Sequence, residues 1–80
     1  MIATAYVLIN VAAGRTKKVY QKLALTDGVV SVDAISGPHD LIATVQASDF
    51  NAIGRLVLDR IQTIEGITDT TTCNVIHFEA

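Results

Sequence analysis

The sequence opens with a strand that is apolar on both faces, and this strand constrains the fold more than any other segment. The run Ile2–Val11 is rich in β-branched and aliphatic residues, which favour the extended conformation. Side chains alternate between the two faces of a strand, so Val7 and Ile9 lie on one face and Tyr6 and Leu8 on the other. Because both faces are largely apolar, we expect both to be covered in the folded protein.

The size and charge of the chain limit what it does alone. With 80 residues it forms one domain at most, so residues 1–80 are predicted to be a single domain. Half of the residues are hydrophobic and only 18% are charged, so apolar surface is expected to remain after folding and to meet another subunit. The formal net charge of −2 gives no general attraction to phosphates, and direct binding of nucleic acid is not expected.

Neither a disulfide-stabilised nor a membrane protein is expected from this sequence. The single cysteine, Cys73, excludes an intrachain disulfide and favours a reducing compartment, which we take to be the cytoplasm. No apolar run reaches the ~18 residues of a membrane-spanning helix. No basic residue precedes Arg15, so the apolar start of the chain lacks the charged region of a signal peptide.

The rest of the chain alternates between helical and extended patterns. Val19 and Leu23 are four residues apart, as are Tyr20 and Ala24, which predicts an apolar stripe on a first helix. Ser48 is predicted to cap a second helix. The predicted elements are a strand Ile2–Val11, a helix Arg15–Thr26, a strand Val29–Ser36, a break Gly37–Asp40, a strand Leu41–Ala47, a helix from Asp49 that ends at Glu65 and Gly66, and a strand Ile67–Phe78.

The two halves of the chain form a weak internal repeat. Gly28 corresponds to Gly66 and Val19 to Val57, at a constant offset of 38 residues. Two βαβ units with short right-handed crossovers predict the ferredoxin-like βαββαβ fold of the α+β class, in which an antiparallel four-stranded sheet carries two helices on one face. Nothing in the chain covers the other face, so we expect it to meet a second sheet in a dimeric α+β barrel-type assembly.

Two groups of residues are candidates for chemistry at the turn and in the last strand. His39 and Asp40 are a candidate acid–base pair, but a polar hairpin tip is favoured because no nucleophile or orienting partner accompanies them. Cys73 and His77 are candidate metal ligands together with His39. Cys73 and His77 are roughly 13 Å apart along one strand, which is too far for both to bind one ion. No metal or cofactor is therefore expected, and Cys73 is predicted to be a buried free thiol.

Hydroxyl and basic side chains also have simpler explanations than binding. Thr70 and Thr72 share one strand face, and threonine suits strands, although two hydroxyls also match a carboxylate or an ammonium group. A basic face on the first helix is interpreted as a solvated surface, because the sequence lacks interleaved aromatics and a net positive charge. The members of that face are Arg15, Lys17, Lys18 and Lys22.

Two motifs, taken in order, suggest a family. The run Gly37-Pro38-His39-Asp40-Leu41 has a glycine, two residues and Asp-Leu before the third strand, and the run Gly66–Thr72 ends in Thr, one residue, Thr. This arrangement resembles the effector domain of the Lrp/AsnC family, called RAM for regulation of amino acid metabolism, over essentially the whole chain. His39 stands where an aromatic residue is common in the family, and Asp69 where a basic residue is common.

The resemblance implies a homo-oligomeric domain that senses a small amino acid. Family ligands sit between dimers, near the Gly-x-x-Asp turn and the threonines of the last strand. Asp40 would pair with the ligand's ammonium group, while threonine hydroxyls and free backbone amides of the turn, including those of Asp40 and Leu41, would hold its carboxylate. The implied ligand-binding residues are Gly37, His39, Asp40, Leu41, Thr70 and Thr72.

The resemblance also implies partners. Full-length family members carry an N-terminal helix-turn-helix domain, whereas this chain starts at the first strand of the effector domain and is expected to lack one. The expected partners are an amino-acid effector, further copies of the chain from dimer to octamer, and a full-length Lrp/AsnC-type regulator. Enzyme activity is not expected. Two alternatives stay open: a small cofactor-free enzyme that uses Tyr6, His39 or His77, and a structural partner that binds no ligand.

Overall fold

The structure is a computed structural model that describes residues 2–78. Its four strands and two helices follow the predicted βαββαβ order, and a short π-helix continues the second helix. The elements are β1 Ala3–Val11, α1 Thr16–Ala24, β2 Val29–Ala34, β3 Leu41–Ala47, α2 Phe50–Leu56, the π-helix Val57–Ile61, and β4 Ile67–Asn74.

One antiparallel sheet contains all four strands in the spatial order β2-β3-β1-β4. The strand β1 is therefore paired along both of its edges. Its Val7 lies opposite Ala43 of β3 and opposite Thr72 of β4. Residues that lie directly opposite each other in an antiparallel pair point to the same face, so this row fixes which side each strand presents. The sheet confirms the predicted ferredoxin-like fold.

Both helices cover the same face of the sheet, as predicted. The helix α1 packs on β2 and β3, and α2 packs on β1 and β3. The odd-numbered residues of β1 and β3 form the sheet side of the core, where Val7 and Ile9 are fully buried. The buried helical residues are Val19, Leu23, Ile53, Val57 and Ile61.

The first helix is shorter than predicted, and its buried stripe is narrower. It spans Thr16–Ala24, and within it Val19 and Leu23 are buried as expected. Tyr20 and Ala24 are exposed, so the prediction for this second pair was wrong. Successive helical residues differ by about 100° in direction, and α1 presents only one line of residues to the sheet.

Asp49, rather than Ser48, caps the second helix. The Asp49 side chain accepts a hydrogen bond from the N–H of Ala52 at 2.7 Å, and the helix begins at Phe50. An N-cap side chain satisfies an amide that has no partner within the helix. The prediction of Ser48 was wrong by one residue because both residue types suit this position.

The second helix also ends earlier than Glu65. Residues Val57–Ile61 form a π-helix, in which the N–H of Gln62 reaches the carbonyl of Val57 at 2.8 Å. The wider turn keeps Val57 and Ile61 buried against the sheet. The Gln62 side chain that follows it reaches Thr70 of β4.

The last strand ends at Asn74, four residues before the predicted Phe78. One further bond, from the N–H of Val75 to the carbonyl of Thr4 at 2.9 Å, ties the chain to β1. Because β1 itself begins at Ala3, almost none of it remains for the following residues to pair with.

The second face of the sheet has no helix over it, and we call it the helix-free face. On this face Tyr6 is 44% exposed, and Cys73, which lies opposite Tyr6, is exposed as well. The prediction of a buried thiol is therefore wrong for the single chain, because it assumed that this face is covered. The face comprises Thr4, Tyr6, Leu8, Asn10, Ser31, Asp33, Ile42, Thr44, Gln46, Asp69, Thr71 and Cys73.

Candidate functional site

The link between β2 and β3 is a turn whose two ends are joined by a backbone hydrogen bond. The N–H of Ile35 donates to the carbonyl of Asp40 at 3.0 Å, so the chain enters and leaves the turn at neighbouring points. Because β2 ends at Ala34, the link is Ile35–Asp40 rather than the predicted Gly37–Asp40. Gly37 has a φ of 147°, which side chains rarely allow, so a glycine suits the tip.

Asp40 is anchored to β1 by its side chain and by its backbone. Its Oδ2 accepts a hydrogen bond from the N–H of Val11 at 2.8 Å, and its own N–H donates to the carbonyl of Ile9 at 2.9 Å. The expectation that the Asp40 amide is free was therefore wrong. The strand β1 continues past the start of β3, and its Ile9 carbonyl accepts the hydrogen bond from this amide. Asp40 is half-buried, and Oδ1 makes no hydrogen bond within the described part of the chain.

His39 lies beside Asp40 and contacts a residue that the sequence analysis did not select. Its Nδ1 is 3.0 Å from Oδ1 of Asn10. Because an amide oxygen only accepts, Nδ1 donates in this contact. Asn10 lies opposite Asp69 of β4, so a polar row crosses the end of the helix-free face. The sequence signal was the presence of an amide side chain in an otherwise apolar strand.

Thr70 and Thr72 lie on the helix side of the sheet. They pair with Ile9 and Val7, which belong to the buried core, so all four side chains share one face. The hydroxyl of Thr70 accepts a hydrogen bond from Nε2 of Gln62 at 2.8 Å. The two threonines line a groove of about 330 Å³ together with Phe50, Ile53, Gly54, Val57, Leu58, Gln62 and Asn74.

The turn lies at one edge of β1, next to β3, and the threonines lie at its other edge, in β4. Leu41 and Thr70 both pair with Ile9, so the three residues form one row with β1 in the middle. At the usual strand spacing the backbones of Leu41 and Thr70 are about 10 Å apart. Gly37, His39, Asp40 and Leu41 stay together at the turn. Within one copy, the structure does not bring Thr70 or Thr72 next to them.

A cavity of about 640 Å³ lies at the other end of the sheet. It is mostly apolar, and its carboxylate residue, Asp49, is used as the cap of α2. His77 lines this cavity, whereas Tyr6 lies on the helix-free face and His39 lies at the turn. The three polar candidates for an enzyme are therefore in three separate places.

Within residues 2–78, no three His, Cys, Asp or Glu side chains gather as they do around a bound metal ion. No helix of the described chain has the length and hydropathy that crossing a membrane requires.

The chain belongs to the Lrp/AsnC family. The family described as the Lrp/AsnC ligand binding domain matches residues 4–78. The match includes both motifs on which the resemblance was based, the turn Gly37–Leu41 and the strand that holds Thr70 and Thr72. The predicted family is thereby confirmed for nearly the whole chain.

Relatives and solved structures agree with this assignment. An uncharacterized HTH-type transcriptional regulator of Pyrococcus horikoshii is 36% identical over 72 residues, which are 86% of this chain and 48% of the relative. The chain thus spans about half the length of the curated relatives it matches. TTHA0845 of Thermus thermophilus superimposes with a TM-score of 0.89 at 28% identity, covering 98% of both chains. A transcriptional regulator of Neisseria meningitidis, solved as an L-Met complex, shares the fold with a TM-score of 0.83 at 21% identity, covering 94% of this chain and 50% of that one.

The hydrogen bond between Asp40 and Val11 predicts that Asp40→Ala and Asp40→Asn lower the free energy of unfolding by different amounts. We expect Asp40→Ala to lower the free energy of unfolding by about 1–3 kcal/mol, because it leaves the half-buried N–H of Val11 without an acceptor. Asp40→Asn retains an oxygen at the same place and should cost less. Urea unfolding of both variants at one protein concentration measures the difference. Equal losses would show that this hydrogen bond does not stabilise the fold.

Proposed function

We propose that this domain binds a small free amino acid at the turn Gly37–Leu41. The observation that carries the proposal is the Asp40 carboxylate, which Val11 holds in place through Oδ2 while Oδ1 is left without a partner in the described chain. A fixed carboxylate with one open oxygen suits an ammonium group, because a charge-assisted hydrogen bond is stronger than a neutral one. Asp40 is thus proposed to recognise the amino group of the ligand.

Donors for the ligand's carboxylate are available at the same turn. The amides of Gly37 and His39 make no backbone hydrogen bond to the described residues, whereas that of Asp40 is used by Ile9. Pro38 has no N–H to offer. An amino-acid zwitterion needs an acceptor at one end and donors at the other. The turn supplies both within a few residues.

We propose that Thr70 and Thr72 reach the ligand from a second copy of the chain. The backbone separation of about 10 Å across β1 argues against a site built from one copy. The hydroxyl of Thr70 accepts a bond from Gln62, which leaves its own proton free to donate to a carboxylate. The bound ligand would then lie at a contact between subunits and would stabilise that contact.

A solved relative supports amino acids as the ligand class. The transcriptional regulator of Neisseria meningitidis that shares this fold was solved as a complex with L-Met. The chemistry at the turn concerns the amino and carboxylate groups that all free amino acids share. It therefore supports the class without selecting one member.

We propose that the helix-free face is covered by the same face of a second copy. Tyr6 and Leu8 of β1 and Ile42 of β3 form its apolar centre, and polar residues surround them. Burying this centre removes apolar area from water at roughly 25 cal/mol per Å², and only the surplus over the cost of association appears as affinity. This arrangement is the dimeric α+β barrel-type assembly expected from the sequence.

A regulatory role in the cytoplasm, rather than catalysis, fits these features. The curated relatives are named as transcriptional regulators, and the polar candidates for an enzyme lie apart in this fold. We propose that the amino acid changes how copies of the domain associate with each other or with an Lrp/AsnC-type regulator. The readout of binding would then be a change of assembly.

Binding is tested by titrating the common amino acids into the wild-type protein. We expect at least one of them, at millimolar concentration, to raise the melting temperature or change the oligomer mass. For that amino acid, calorimetry should show that Asp40→Asn weakens binding by about 10–150-fold, which corresponds to ~1.5–3 kcal/mol. Thr72→Val should weaken binding less, because it removes a single neutral hydroxyl.

Asp27→Asn is the matched control for charge, since Asp27 is exposed and lies away from the turn. It should leave the affinity unchanged. Equal affinity of the wild type and Asp40→Asn would show that the site is wrong. If no amino acid changes the melting temperature or the mass, the sensing function is wrong and a ligand-free structural role takes its place.

The dimer is tested by light scattering at micromolar protein. The wild type should have at least the mass of two chains. Leu8→Glu should shift the mass toward the monomer, because it places a charge at the centre of the helix-free face. Tyr20→Glu, on the exposed side of α1, is the control and should not change the mass. A wild type that is monomeric at every concentration tested contradicts this interface.

A further inference from the structure

The groove beside Thr70 and Thr72 lies between the second helix and the last strand. The helix α2 packs on β1 and β3, so it leaves the helix side of β4 uncovered next to it. Thr72 and Asn74 point to that side and are exposed. The groove has a volume of about 330 Å³. It therefore offers space directly beside the two hydroxyls that we assign to the ligand.

The helical wall of the groove is an apolar stripe on α2 and the π-helix. Its members are spaced i, i+3, i+4, i+7 and i+8, which places them on one side of a helix. Ile53 and Val57 are buried, whereas Phe50 and Leu58 are exposed large apolar side chains. The members of the stripe are Phe50, Ile53, Gly54, Val57 and Leu58. Every residue that lines the groove, on the helix or on the strand, is uncharged.

Gly54 keeps the middle of this stripe open. It lies four residues from Phe50 and four from Leu58, and a Cβ added to it would meet no atom within 4 Å. Its backbone is helical, without the positive φ that favours glycine. A glycine inside a helix lowers stability relative to alanine. Neither backbone conformation nor packing within the described chain accounts for this glycine, whereas a ligand that enters the groove does.

We propose, on the basis of the binding site proposed above, that this groove receives the side chain of the bound amino acid and selects a large apolar one. Thr70 and Thr72 line the groove, so a ligand whose carboxylate they bind has its side chain within reach of the apolar stripe. An apolar cavity of roughly 150 Å³ is enough to bind a benzene-sized group. The volume of about 330 Å³ therefore accommodates the side chain of leucine, methionine or phenylalanine.

The chemistry of the lining disfavours other side chains. An ionised side chain loses hydration on entering the groove and meets no charged partner among the residues that line it, which is costly. A side-chain amide directed toward α2 meets the apolar stripe, and the amide of Gln62 is already bonded to Thr70. The short side chain of alanine leaves the groove unfilled and buries little apolar area. The stripe thus favours a long apolar side chain over charged, amide and short ones.

Calorimetric titration of the wild-type protein with free L-amino acids tests the selection without any substitution. We expect leucine, methionine or phenylalanine to bind at least ~10-fold more tightly than alanine, because one methylene in an apolar pocket changes affinity by roughly 10–200-fold. Glutamine, lysine and glutamate should bind more weakly than the best of these three. If alanine, glutamine or a charged amino acid binds as tightly as the best apolar one, the selection is wrong although the domain still binds an amino acid.

Filling the groove from the helix tests where the ligand's side chain lies. Gly54→Leu places a side chain in the open space beside Gly54, and it should fold because leucine is a strong helix former. It should weaken binding of the best apolar amino acid by at least ~10-fold. The rise in melting temperature at a high concentration of alanine should be unchanged, since that ligand does not use the groove. Asn51→Leu, at an exposed position of α2 outside the groove, is the control and should leave all affinities unchanged.

Two results with Gly54→Leu overturn the assignment of the groove. One is an affinity for the best apolar amino acid equal to that of the wild type, which places the side chain elsewhere. The other is a lower oligomer mass of the ligand-free variant in light scattering, which shows that a second copy fills the groove instead. If Gly54→Leu does not fold, the wild-type titrations still decide the selection. If no amino acid binds the wild type, both the binding function and the selection are wrong.

Discussion

The strand β1 organises the molecule because it is the strand through which both halves of the chain are joined. It lies between β3 and β4, so each of its residues contributes to a ladder on one side or the other. Its odd-numbered side chains are buried under the helices, and burying a Val or Ile side chain stabilises the fold by about 1.5–3 kcal/mol. Its even-numbered side chains lie on a face that two helices on the opposite side cannot cover.

The proposed ligand site is attached to the same strand. The N–H of Val11 points toward β3 one step past the last regular pair, and the Asp40 carboxylate takes the place of a backbone acceptor there. His39 is connected to the strand through Asn10. A turn that would otherwise be a free hairpin tip therefore has a fixed carboxylate. Any ligand that binds this carboxylate also acts on a group that closes the end of the sheet.

The sequence predicted the fold well because the fold follows from hydrophobic periodicity and glycine placement. Val19 and Val57, and likewise Gly28 and Gly66, occupy equivalent places in the two halves, and both glycines have positive φ. The ends of the helices and the π-helix were less predictable. Ser48 and Asp49 both suit an N-cap, and only the path of the chain decides between them. A π-helix leaves no periodic signal in so short a segment.

The site was predictable only in part. The residue types at the turn were found from the motif, but the partners of Asp40 depend on how far β1 extends beyond β3, which alternation alone does not reveal. The side of the sheet on which Thr70 and Thr72 lie follows from their pairing with Ile9 and Val7. That register is a long-range property, and it separates the threonines from the turn of their own chain.

Two weakly binding variants should complement each other if one copy supplies the turn and another supplies the threonines. Asp40→Asn and the double variant Thr70→Val, Thr72→Val are unfolded together in equal amounts, refolded as mixed assemblies and titrated by calorimetry with the amino acid that binds the wild type. With random assembly, about one-quarter of the sites should combine an intact turn with intact threonines and bind with wild-type affinity. A mixture that binds no better than the two variants measured separately would contradict a site shared between copies.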